Sequence, residues 1–107
     1  MTTNTAPDSP KGLACRGRKF WASTVKRFEL TNGELELLIE VCRTLDELDR
    51  LAEVVAVHGA TLAGSKGQTV INGAVAEARG QRLALHRLIA ALALPAEDGA
   101  SKRRGAG

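Results

Sequence analysis

The sequence predicts a mainly α-helical subunit: a short N-terminal helix, then a long central helix antiparallel to a C-terminal helix, with a small β-hairpin between the last two. Three observations carry this. Apolar residues recur with a 3.6-residue period over two long stretches. Thr31 and Asn72 stand where helix N-caps are needed, and a Gly-rich run between those stretches is flanked by short β-prone pieces.

The elements follow in chain order. Met1 to Leu13 combines Thr, Asn, Pro, Asp, Ser and Gly with almost nothing to bury, so residues 1–15 are expected to form a disordered arm. From Arg18 to Glu29, Trp21, Val25 and Phe28 fall at i, i+4, i+7, the spacing of a short amphipathic helix. Thr31-Asn32-Gly33-Glu34 then has capping-box spacing. Asn-Gly ordinarily marks a hairpin turn, but Leu35, Leu38, Val41, Cys42, Leu45, Leu48, Leu51, Ala52 and Val55 follow helical periodicity. This helix should run to about His58 and stop at Gly59. Ala60 to Ala63 and Thr69 to Ile71 flank the turn Gly64-Ser65-Lys66-Gly67-Gln68, which places a hairpin at about 60–71. Asn72 caps a third helix with Val75, Ala78, Leu85, Leu88, Ile89 and Leu92 on its apolar face, ended by Pro95. Gly80 inside it costs about 1 kcal/mol relative to Ala; either another backbone comes close there or the cost is simply tolerated. The folded core thus spans residues 16–95, and residues 96–107 form a disordered basic tail.

The central helix is too long for a neat ball. About 27 residues at about 1.5 Å each give roughly 40 Å, against a radius of gyration of about 13 Å for a compact domain of about 100 residues. Leu37, Ile39 and Val54 are left poorly covered by two antiparallel helices and a short one. Packing against further copies of the chain is a simple remedy, so a homo-oligomer is expected.

Composition narrows the function class. The 107 residues are 44% hydrophobic and 25% charged, ordinary for one small globular domain. No apolar run approaches the roughly 18 residues of a membrane span, and the N-terminus lacks a signal-peptide core, so a cytoplasmic protein is expected. Cys15 and Cys42 are too few for a disulfide framework and should remain thiols. Charge is segregated. In residues 1–30, Lys11, Arg16, Arg18, Lys19, Lys26 and Arg27 oppose only Asp8 and Glu29. In residues 31–58, seven carboxylates (Glu34, Glu36, Glu40, Asp46, Glu47, Asp49, Glu53) oppose Arg43 and Arg50. Residues 59–95 are basic again, with Lys66, Arg79, Arg82 and Arg87 against Glu77. Such a pattern suits a nucleic-acid-facing surface, and equally neighbouring copies pairing acidic faces with basic ones.

No constellation reads as a catalytic centre. Gly59 to Lys66 is a near miss to a phosphate-binding loop: its order is Ser-Lys, and a β-prone piece follows where a helix is required. His58, His86, Cys15 and Cys42 lack metal-ligand spacing, and a Ser-His-Asp triad would have no scaffold for an oxyanion hole. A non-enzymatic protein without metal, cofactor or small-molecule substrate is expected. Asp46, Glu47 and Asp49 read as a solvated helical face. Trp21 and Phe20, beside Arg18 and Lys19, could stack on bases, but helical spacing favours core, which leaves the basic side chains around them as the better candidates. Lys102-Arg103-Arg104 is either a phosphate-contacting tail or a solubilising end.

Gly17-Arg18-Lys19-Phe20-Trp21, Phe28-Glu29-Leu30, the Leu-rich helix through Cys42-Arg43-Thr44 and Leu48-Asp49-Arg50-Leu51, Gly59 with the Gly-rich hairpin, and the run Val75, Glu77-Ala78-Arg79, Gln81-Arg82, Ala84-Leu85 and Arg87-Leu88 to Leu94-Pro95 together form one pattern. Over residues 12–95 it resembles the small terminase subunits of tailed phages. It departs at Asn72-Gly73, where Asn-Pro or His-Pro would be expected. The resemblance implies an oligomeric ring that binds double-stranded phage DNA at the packaging-initiation site and recruits or regulates the large terminase subunit, the ATPase and nuclease. It further implies a place in the cytoplasm of an infected or lysogenic bacterial host. Arg16, Arg18, Lys19, Lys26 and Arg27 are then the first candidates for DNA contact, and Lys102, Arg103 and Arg104 the second. Two alternatives stay open: an oligomeric protein-interaction adaptor that never touches DNA, and a small helix-turn-helix regulator. The latter's recognition helix would be the acidic one, which phosphate repels.

Overall fold

The computed structural model describes residues 6–95. In chain order these form α1 (Cys15–Arg27), α2 (Asn32–His58), β1 (Thr61–Ala63), β2 (Thr69–Ile71) and α3 (Gly73–Leu92). The two strands pair antiparallel, with Thr61 opposite Ile71, Leu62 opposite Val70 and Ala63 opposite Thr69. α2 is the spine, with α1 and α3 both packed on it. The helical architecture with its intervening hairpin is therefore as expected. It is also long and thin, at 65 × 25 × 23 Å with a radius of gyration of 17.8 Å.

α2 begins as the capping box requires: the Glu34 amide donates to the Thr31 hydroxyl at 3.1 Å, and the Thr31 amide donates to the Glu34 carboxylate at 2.8 Å. Leu30 and Leu35, at the staple positions flanking that cap, both pack against the core. Leu38, Val41 and Cys42 are completely buried, and Leu45 and Leu51 nearly so. Gly59 ends the helix at φ +90°, a backbone angle that strains any side chain.

α1 corrects two expectations. It starts at Cys15, three residues before the periodicity suggests, and ends at Arg27 because Phe28 turns extended and buries its ring. Its N-terminus lacks a capping side chain of its own, since Ala14 occupies the cap position. Asp46 of α2 takes that role: both the Ala14 and Gly17 amides donate to its carboxylate at 2.7 Å. Gly17 makes this approach possible, because a Cβ there would run into the Asp46 carboxylate and lie 2.9 Å from the Cys42 carbonyl oxygen. An arm with nothing to bury is also wrong for the segment just before α1. Leu13 is a core residue, clustered with Trp21, Leu38, Cys42 and Leu92, and the Pro7 carbonyl accepts the Trp21 indole N–H at 3.0 Å. One leucine, too isolated to show periodicity, closes the end of the bundle where all three helices meet.

At the other end, Asn72 ties three elements together. Its side-chain oxygen accepts from the Ala74 amide to cap α3, its amide nitrogen donates to the Gly59 carbonyl at 2.8 Å, and its backbone N–H donates to Ala60. Beyond this junction the hairpin stands free, with all six strand residues exposed.

Candidate nucleic-acid interface

α1 turns Gly17, Trp21 and Thr24 against the bundle, and Phe28, just past its end, is buried as well. Helical geometry at about 100° per residue then sends Lys19 and Lys26 outward on one stripe, about 10 Å apart along the axis. The helix holds five cationic side chains and no carboxylate. The five are not equivalent. Arg16 pairs with Asp49 at 3.0 Å. Arg18 turns back to donate to the Leu13 carbonyl at 2.6 Å, which ties down the segment before the helix. Arg27 lies over the Phe28 ring, 5.5 Å from its centre. Lys19 and Lys26 are exposed and have no ion-pair or hydrogen-bond partner among the described residues. Of the N-terminal candidates they alone present an uncommitted charge. Lys102, Arg103 and Arg104 lie outside the described residues. Trp21 is only 4% exposed and is core, so it cannot stack on a base without unfolding the bundle.

The carboxylates of α2 behave in the opposite way. Glu34 serves the capping box, Glu40 pairs with Arg43 at 3.0 Å, Asp46 caps α1, Glu47 takes two hydrogen bonds from Arg50, and Asp49 holds Arg16. The Arg50 guanidinium holds the Glu47 carboxyl below its usual range. The set that reads in sequence as a solvated face is thus largely committed to structural tasks inside the subunit.

α3 supplies a third charged surface, one that sequence reasoning does not single out. With Ala78 and Leu92 buried and Leu85 and Leu88 half-buried, the opposite side carries Arg79, Arg82, Leu83, His86 and Arg87, all exposed. The three arginines have no ion-pair or hydrogen-bond partner among the described residues. Their signal in the sequence was the positive balance of residues 59–95; only the inward face of α3 shows that they share one side.

The remaining candidates are drawn into the structure of the chain. Cys42 is buried, and burial together with the Asp46 charge pushes its thiol up to about 11, so it is a poor nucleophile. The near-miss phosphate loop is the hairpin itself: the Lys66 amide donates to the Gln68 side chain, and β1 and β2 intervene before the next helix begins at Gly73. A shallow hollow of about 380 Å³ beside the start of α1 is lined by Arg43, Asp46, Glu47 and Arg50, each already held by a neighbour within the subunit. Among the described residues no group of three or more His, Cys, Asp or Glu is placed to hold a metal ion. No helix among them is long and apolar enough to cross a membrane. Comparisons with protein-family models, with curated proteins and with solved structures find no match to this chain.

Proposed function

We propose that this chain is a small terminase subunit: a ring-forming, non-enzymatic protein that binds phage DNA at the packaging-initiation site and recruits or regulates the large terminase subunit in the bacterial host's cytoplasm. The division of charge carries this reading. The subunit's carboxylates are mostly engaged within it, while Lys19 and Lys26 face outward unengaged. That arrangement favours an external polyanion over the pairing of acidic and basic faces between copies. The long shape and the free hairpin supply the reason to assemble. Ile71 and Val57 are 69% and 64% exposed, and a two-stranded hairpin is marginal in water by itself.

Two measurements on the full chain test it. Light scattering at near-physiological salt should give a discrete, closed oligomer well above a dimer. Fluorescence anisotropy with duplex DNA should show affinity that falls steeply with salt, and Lys19→Gln/Lys26→Gln should lower the log–log slope by about two units for each subunit engaged, roughly 0.9 per lost phosphate contact. A monomer or dimer that leaves DNA unbound would overturn the proposal in favour of an interaction adaptor.

A further inference from the structure

We propose that the outward side of α3 is a second phosphate-binding surface, in which Arg79, Arg82 and Arg87 grip the backbone of double-stranded nucleic acid independently of α1. This inference rests on the nucleic-acid reading above and adds to it a site on a different element. The three arginines lie within nine residues, about 12 Å of helix. Duplex DNA carries one charge per about 1.7 Å of axis, so a face of this length spans several phosphates.

What surrounds these arginines selects the occupant. Arg16, Arg43 and Arg50 each have a carboxylate within 3.0 Å, whereas Arg79, Arg82 and Arg87 have none among the described residues. The only carboxylate on α3, Glu77, accepts from Gln81 at 3.3 Å. A neighbouring copy is poorly equipped to neutralise them, because five of the seven carboxylates of α2, namely Glu34, Glu40, Asp46, Glu47 and Asp49, already have partners in their own subunit. Gly80 lies beside Arg79, and a Cβ there would meet nothing within 4 Å, so the glycine serves no packing inside the subunit. Guanidinium groups on an exposed helix face can approach a phosphate backbone and donate to its oxygens in pairs.

The test uses the full chain, a fluorescent duplex of about 30 base pairs, and anisotropy titrations from 50 to 200 mM salt. Arg79→Gln/Arg82→Gln/Arg87→Gln should keep the native mass and melting temperature while lowering the salt slope by about 2.7 for each subunit engaged on the duplex. Over that fourfold salt range the wild-type affinity should therefore drop at least about 40-fold more than the variant's. Arg79→Lys/Arg82→Lys/Arg87→Lys should retain most of the slope. If the Gln variant binds as tightly as wild type while Lys19→Gln/Lys26→Gln weakens binding, the α3 surface is refuted and the proposed function stands. If the Gln variant changes the native mass, α3 is a subunit interface and the inference is likewise overturned. If wild-type protein shows no salt-dependent binding, the functional reading fails and this inference with it.

Discussion

Replacing Asp46 with Ala tests whether α1 is held by a cap borrowed from another helix. The Asp46 carboxylate accepts from the Ala14 and Gly17 amides, both at 2.7 Å, and Ala14 offers no cap of its own. Loss of an N-cap side chain costs about 0.5–2 kcal/mol. A hydrogen bond to a charged acceptor contributes about 1.5–3 kcal/mol, less where water can replace it. With two bonds lost at a partly exposed helix start, about 2 kcal/mol is expected. For a chain of this size that shifts the melting temperature by roughly 8–16 °C. Asp46→Asn, which keeps one acceptor oxygen, should lose about half as much. Trp21 is the only tryptophan and sits on α1, so its fluorescence reports the docking of that helix while circular dichroism reports the whole. Both are read at fixed protein concentration, because the proposed assembly would make melting concentration-dependent. An Asp46→Ala protein that melts within 2 °C of wild type with an unchanged Trp signal would refute the borrowed cap.

Three further outcomes follow from the same geometry. Gly80→Ala should stabilise the subunit by about 1 kcal/mol, since the added methyl group meets open space; a lowered native mass would instead reveal a neighbouring backbone against α3. Asn72→Ala should cost about 1–2 kcal/mol through loss of the α3 cap and of the donor to the Gly59 carbonyl, and Asn72→Asp, which keeps only the cap, should recover part of it. If the Asp variant melts no higher than the Ala variant, the cap contributes little. The third concerns pH. The folded Cys42 thiol is raised to about 11, whereas an unfolded thiol ionises near 8.5. As pH rises through that window the unfolded chain releases its proton first, so stability falls by on the order of 1.4 kcal/mol per unit and levels off above the folded value. Urea midpoints for wild type and Cys42→Ala should converge as pH climbs from 8 to 10.5; parallel curves would count against a buried, protonated thiol.

The elements that could be read in the sequence are those that local chemistry determines. Thr31 with Glu34, Gly59 and Asn72 mark boundaries through their own side chains or backbone freedom, and they lie where expected. The start of α1 could not be read that way. Its cap is 32 residues distant from Ala14 on another helix, and the glycine that admits it gives no local sign of its purpose. Leu13 was hidden for a similar reason, because a single apolar residue in a polar run has no period. The candidate site was half legible. Net charge by segment flagged α1 and the region holding α3, but which cations are free depends on which carboxylates reach them. Arg16 and Arg18 looked equivalent to Lys19 in sequence, yet they are engaged by Asp49 and the Leu13 carbonyl.

Under the proposed function, assembly and DNA binding cannot be separated, and the charge arithmetic shows why. Lys19 and Lys26 offer one subunit about two phosphate contacts from α1, and the three arginines of α3 bring the total only to about five, each adding about 0.9 to the slope. A closed ring repeats the pair on every copy, and once one subunit is engaged its neighbours bind at a high effective concentration. The free hairpin is then as necessary to DNA binding as the lysines, although it holds only Lys66 to offer a phosphate. Ile71→Asp places a charge on the most exposed apolar position of β2, where a neighbouring copy has to bury it. Because that residue is 69% exposed and lies outside the core, the isolated chain should keep its helical circular dichroism. Its native mass should fall to that of a monomer or dimer, and its affinity for duplex DNA should fall at least tenfold with α1 unaltered. Undiminished DNA binding by a dissociated Ile71→Asp protein would show that single subunits suffice, and would remove the reason for a ring.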